Sequence, residues 1–139
     1  MRIAASRELL AQRSDVWKFV AEPYHLEDWW PGVSGVRPDR RGSAAGARWQ
    51  LTTGTEPTLL RRPESASVLV VSASNAPALF AFHLTAEKLD VRVDLEAATA
   101  DRTRVTITVE GAWLFAYRRT LAQRAVSRLY ALCQTAATV

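Results

Sequence analysis

The feature that most constrains this chain is a change of hydrophobic period. From Trp113 onward, Leu114, Leu121, Ala122, Ala125, Leu129 and Leu132 recur at helical spacing and form one broad stripe, with Arg119, Gln123, Arg124 and Ser127 on the other side. The spacing predicts a C-terminal helix of roughly 20 or more residues. Such a helix is marginal alone and must bury its stripe on something. What precedes it runs at a period of two, so the surface available is a sheet.

The strands read clearly in the middle of the chain. Trp49, Leu51 and Thr53 alternate with Arg48, Gln50 and Thr52. Phe80, Phe82 and Leu84 alternate with Ala81, His83 and Thr85. Leu89, Val91, Val93 and Leu95 alternate with charged Asp90, Arg92, Asp94 and Glu96, and Val105, Ile107 and Val109 with Arg104, Thr106 and Thr108. These last two have the one-face-apolar pattern of half-buried antiparallel strands. Val68–Val71 adds a short apolar strand, Val33–Arg37 a weaker one, and residues 2–10 a first one with Ile3, Ala5 and Leu9 on one face. Asn75-Ala76-Pro77 and Thr99-Ala100-Asp101 read as hairpin connections, and residues 54–64 as a loop that either does or does not contain a short strand.

Between the first and second strands Ser14 reads as an N-cap and Asp15 as a first-turn acid. Val16, Phe19 and Val20 then recur at helical spacing, and Pro23 ends the helix. A second short helix, Tyr24 to Trp30, stops at Pro31-Gly32. The order is strand, two short helices, six strands, one long helix. That is an α+β arrangement, with an antiparallel sheet of six to seven strands and helices on one side, and not the strand–helix alternation of a doubly wound fold.

Composition narrows the function classes. The chain has 139 residues and 48% hydrophobic content, enough for one domain over 1–139 with a substantial core. No apolar run approaches the ~20 residues of a membrane span, and the first residues lack a secretory signal pattern, so the expected location is the cytoplasm. Cys133 is the single cysteine, which excludes an intrachain disulfide and a Cys-based zinc motif. The net charge of +4 comes from 16 arginines and 2 lysines, which with 23 alanines fits the codon bias of a GC-rich genome. The arginines are dispersed, with pairs at Arg40-Arg41, Arg61-Arg62 and Arg118-Arg119, and this argues against a nucleic-acid partner.

The segment RSDVWKFVAEPYHLEDWWPGVSGV resembles the opening of the START/Bet v 1-like superfamily, also labelled polyketide cyclase/dehydrase or SRPBCC. Val16-Trp17 matches the first helix of that family and Trp30-Pro31-Gly32-Val33 the turn into its second strand. Gly46 in GARWQL is similar to the glycine opening its third strand, and Arg102-Thr103-Arg104-Val105-Thr106 resembles a late strand. The likeness spans essentially the whole chain. It implies a helix-grip fold, a curved antiparallel sheet around the C-terminal helix, enclosing an apolar cavity. Members include sterol and lipid carriers, hormone receptors and aromatase/cyclases, so the resemblance does not fix the chemistry.

Candidate site residues follow from what could line such a cavity. Trp29, Trp30, Trp49, Phe80, Phe82 and Trp113 are large rings that either fill the interior or line a void. Of these, Trp49 and Phe82 are expected at a ligand, together with Leu51, Phe80 and Leu121, while Trp30 and Trp113 are expected at the rim. Arg118 falls at helical phase between Leu121 and Ala122, where a cation is costly unless paired, solvated or held at the mouth to meet a ligand oxygen. Arg7, on the Ala5/Leu9 face, is a weaker case of the same anomaly. His83 is out of phase with Phe80, Phe82 and Leu84, which puts it on the outer face; in the reverse register it would point inward as a general base. His25-Leu26-Glu27-Asp28 reads as a solvated surface. Cys133 reads as a packing residue.

No nucleophile motif, phosphate loop or metal-ligand spacing occurs, so no catalytic residue, cofactor or metal is assigned. The first reading is a carrier or sensor for a small, largely apolar molecule, the protein being a monomer or homodimer. The second is a polyketide cyclase/dehydrase-type enzyme in which Arg118, Tyr117 or His83 assists proton transfer. The third is a regulatory protein-interaction module with a vestigial cavity.

Overall fold

Seven strands hydrogen-bond in the order β1-β7-β6-β5-β4-β3-β2, every neighbouring pair antiparallel. The computed structural model describes residues 1–53, 65–112, 114 and 116–137. The strands are β1 (Arg2–Leu9), β2 (Val33–Pro38), β3 (Arg48–Thr53), β4 (Ser65–Asn75), β5 (Leu79–Leu84), β6 (Leu89–Thr99) and β7 (Arg102–Glu110). Residues 54–64, left open between loop and strand above, lie outside the described residues, as does Trp113.

Alternation sets the two faces. On β5, Phe80, Phe82 and Leu84 are buried while Leu79, Ala81 and His83 are not; on β6 and β7 the buried residues are Leu89, Val91, Val93, Leu95 and Thr103, Val105, Ile107, Val109. Cross-strand register aligns these sets, with Phe82 opposite Val91 and Val91 opposite Val109, so one continuous apolar face results. Register shifts at Val33/Gly35, Val71/Ala73 and Ala97/Thr99 insert irregularities of the kind that bend strands and curve a sheet.

β1 and β2 lie at opposite edges, so the chain between them crosses the sheet. It does so with α1 (Arg13–Val20), a 3₁₀ turn at Pro23–His25 and α2 (Leu26–Trp29). α1 begins earlier than Ser14 suggests: the amides of Asp15 and Val16 both bond the Gln12 carbonyl, making Gln12 the N-cap. Ser14 therefore sits inside the first turn, with Asp15 free to meet Lys18 at 3.6 Å. Trp30 leaves α2 in an extended conformation, and Gly32, at φ +87°, turns the chain into β2.

The C-terminal helix α3 (Leu121–Ala137) packs against β1, β7 and α2. Leu121, Ala122, Ala125, Val126, Leu129 and Cys133 face the core, and Gln123 and Arg124 face solvent. Leu121, Ala122, Ala125 and Leu129 are as expected, while Val126 and Cys133 join the stripe and Leu132 is only half-buried, and the α-helix starts at Leu121 rather than near Trp113. Ala116–Thr120 form a 3₁₀ helix instead, which advances about 120° per residue and breaks the phase extrapolated back from Leu121. Thr120, a residue type favoured at N-caps, is the sequence signal for that boundary. The architecture is the expected helix-grip α+β arrangement. Among the described residues no helix is long and apolar enough to cross a membrane.

Candidate functional site

The aromatic residues of β3, β5, α1 and α2 converge on the inner face of the sheet. Trp49 stacks on Phe80 with ring centres 5.8 Å apart. Trp17 also meets Phe80, in an edge-to-face contact at 6.0 Å. Phe82, two residues along β5 and 5.9 Å from Phe80, is met edge-on by Trp29 at 6.2 Å and by Trp30 at 5.7 Å, and these two indoles touch each other at 6.0 Å. Edge-to-face and offset contacts are the arrangements that ring quadrupoles favour.

The cluster has a closed end and a less closed one. Trp29, Trp49, Phe80 and Phe82 are wholly covered, whereas Trp30, Leu51, Leu84 and Leu121 keep 3%, 4%, 3% and 5% of their surface accessible. Trp30, Leu51 and Leu84 lie at one end of the sheet, and Leu121 follows the 3₁₀ segment whose Arg118 reaches the turn there. Leu51 pairs with Ser67, Leu84 with Leu69 and with Leu89 beyond the β5–β6 turn, and Trp30 sits just before β2, whose first residue pairs with Thr53.

Polar groups collect at the same end. Ser67 is a buried inward residue of β4, and its hydroxyl donates to Glu87 Oε2 at 3.2 Å. Glu87 lies in the β5–β6 turn, and its carbonyl accepts from Arg118 Nη1 at 3.4 Å. Arg118 is thus half-buried on the 3₁₀ segment, next to Leu121 and tied to the turn by a long bond. Ser67 and Glu87 carry no periodic signal strong enough to mark them in the sequence; only the return of the turn over the end of β4 unites them.

The two wholly covered indoles differ sharply. Trp49 Nε1 donates to the Gly42 carbonyl at 2.6 Å. Trp29 Nε1 is buried with no hydrogen-bond partner, alone in this among the described residues. An unsatisfied buried donor costs about 1–3 kcal/mol. The adjacency Trp29-Trp30 shows two rings in the sequence, but four residues of helix give no period from which to orient them.

Of the expected site residues, Trp30, Trp49, Leu51, Phe80, Phe82 and Leu121 face the interior. Tyr117 lies on the 3₁₀ segment, and its side chain is outside the described residues, as is Trp113. His83 does not join them. It stands on the outer face, where its Nδ1 is 2.9 Å from Asp90 Oδ1, because the strand period turns it away from Phe82. His25 Nδ1 makes a similar exposed pair with Asp28 Oδ2 at 2.9 Å. Burial pushes the Cys133 thiol up to about 11, with the charge of Asp15 adding to the effect. Among the described residues no group of three His, Cys, Asp or Glu side chains could hold a metal ion.

Comparison with solved structures identifies the architecture. An AHSA1-like protein from Aeromonas hydrophila superposes with a TM-score of 0.71 at 14% identity, over 99% of this chain and 94% of that one. The allergen Ara h 8.0201, of the Bet v 1 type, gives 0.69 at 11% identity, over 97% and 98%. This chain has a Bet v 1-like fold. The Aha1 dimer from Colwellia psychrerythraea shares it at a TM-score of 0.66 and 12% identity, over 97% and 95%. No protein-family model and no curated protein matches the sequence. The likeness read along the whole chain is therefore borne out as a Bet v 1-like fold, and identities this low carry the fold alone.

Proposed function

We propose that the protein binds a small, largely apolar ligand between the inner face of its sheet and α3, as a carrier or sensor. The observation that carries this reading is the residual accessibility of Trp30, Leu51, Leu84 and Leu121 beside an aromatic interior whose Trp29, Trp49, Phe80 and Phe82 are wholly covered. An apolar molecule entering there meets rings and aliphatic groups on all sides, with Arg118, Ser67 and Glu87 at the rim. Burying ~300 Å² of ligand would contribute about 7 kcal/mol gross at ~25 cal/mol/Å², which the entropy of association reduces toward micromolar affinity or weaker. The reading takes residues 1–139 as one domain, working as a monomer or homodimer in the cytoplasm.

The test is titration with 2-ethylnaphthalene, followed by tryptophan fluorescence and by calorimetry. Saturable binding near one per chain, with a negative heat-capacity change, is the expected result. A second reading, a protein-interaction module with a filled interior, draws support from the complete burial of Trp29, Trp49, Phe80 and Phe82. Absence of binding by 2-ethylnaphthalene and by a panel of fatty-acid-sized probes would favour it. The cyclase/dehydrase reading loses one of its proton-transfer candidates with His83 on the outer face.

A further inference from the structure

Trp29 and Trp49 are the same residue type, both wholly buried in one cluster, yet only one has its indole N–H satisfied. The aromatic neighbours of Trp29 among the described residues are the rings of Trp30 and Phe82, at 6.0 and 6.2 Å, which offer π faces and no oxygen. An N–H over a ring face is only weakly served. Trp30 is also the member of this triangle that retains surface in reach of solvent, while Trp29 and Phe82 are wholly covered.

We infer that Trp29 Nε1–H is the anchor for a hydrogen-bond acceptor on the ligand, which makes the ligand class a neutral, largely apolar molecule bearing a carbonyl or ether oxygen. The inference rests on the reading of the interior as a ligand site and specifies its chemistry. An indole nitrogen only donates, so it selects acceptors. The triangle contains no cation, and a carboxylate brought there would lose its hydration without a counter-charge. Arg118, the cation beside the site, lies at the rim, tied to the Glu87 carbonyl. Because Trp29 Nε1 has no accessible surface in this arrangement, the acceptor reaches it only as the side chains that cover the indole shift. A site built around a buried donor discriminates strongly, since a ligand without the acceptor leaves that donor unpaired.

The experiment uses two probes of the same shape, 2-acetylnaphthalene and 2-ethylnaphthalene, on the full chain and its Trp29→Phe variant. Phe keeps an aromatic ring and removes the N–H. The affinity ratio of ketone to hydrocarbon is compared between the two proteins, so the desolvation of the probe and the packing change at residue 29 cancel. The expected result is a fall of about tenfold in that ratio on Trp29→Phe, equivalent to ~1.4 kcal/mol. A second measurement avoids dependence on the variant folding: the indole N–H resonances of the unmodified protein are followed by NMR. The Trp29 resonance should move downfield with 2-acetylnaphthalene and not with 2-ethylnaphthalene. If both probes bind while that resonance responds to them alike and the ratio is unchanged, the N–H is served by ring faces and the inference is overturned, with the ligand site intact. If neither probe binds, the reading of the site itself falls and the inference goes with it.

Discussion

The guanidinium carbon of Arg7 lies 3.6 Å from the centre of the Tyr130 ring, so a cation on β1 stacks on an aromatic face of α3. This accounts for an arginine on the Ala5/Leu9 side of the first strand: the charge is placed over a π system and stays exposed to water. Arg7→Gln and Tyr130→Leu should each lower stability. A double-mutant cycle in urea should give a coupling of about 0.5–1 kcal/mol, the range for exposed cation–π pairs. Zero coupling would reduce the contact to chance proximity.

Phe82 and His83 are adjacent and face opposite ways. Phe82→Ala should cost about 3–5 kcal/mol, since it removes the ring on which Trp29, Trp30 and Phe80 converge. His83→Ala should change stability by about 0.5 kcal/mol or less, because its pair with Asp90 is solvated. It should also leave 2-ethylnaphthalene binding unaltered. Equal costs from the two substitutions would contradict the face assignment.

Arg118→Met keeps much of the stem volume and removes a long bond to the Glu87 carbonyl. Its effect on melting should be small, within about 1 kcal/mol in free energy. Affinity for a carboxylate-bearing naphthalene should fall relative to 2-ethylnaphthalene, because the cation at the rim is lost. A large drop in melting temperature would reveal a structural role for the guanidinium instead.

Cys133 supplies a pH test. Its thiol is raised from an ordinary 9.0 to about 11 by burial, so the folded chain holds that proton more tightly than the unfolded chain does. The resulting contribution to stability is complete below pH 9 and is lost as pH rises through 11. Urea midpoints should therefore decline over this interval more steeply in the parent protein than in Cys133→Ala. A thiol reagent should modify the native protein no faster than it unfolds. Parallel pH profiles for the two proteins would refute the assignment.

Much of the sheet was legible because strand direction is local. The alternation of Leu89, Val91, Val93 and Leu95 with charged residues encodes which side is buried, and the same rule aims Trp49, Leu51, Phe80 and Phe82 inward and His83 outward. The N-terminus of α3 was not legible from period alone. Leu114 is buried like the α3 stripe, yet a 3₁₀ segment separates it from Leu121, and helical phase cannot be carried through that change of pitch.

The sequence by itself determined the order of elements, the faces of the strands and the set of rings available to the interior, since each follows from side-chain direction along a local period. Tertiary structure alone decided which polar atoms find partners. Trp49 reaches the Gly42 carbonyl and Trp29 reaches none; Glu87 folds over to Ser67 and offers its carbonyl to Arg118. Those pairings depend on where distant segments come to rest after the sheet curves and the helices close on it. A hydrogen bond tolerates only a few tenths of an ångström, a tolerance no periodicity can specify.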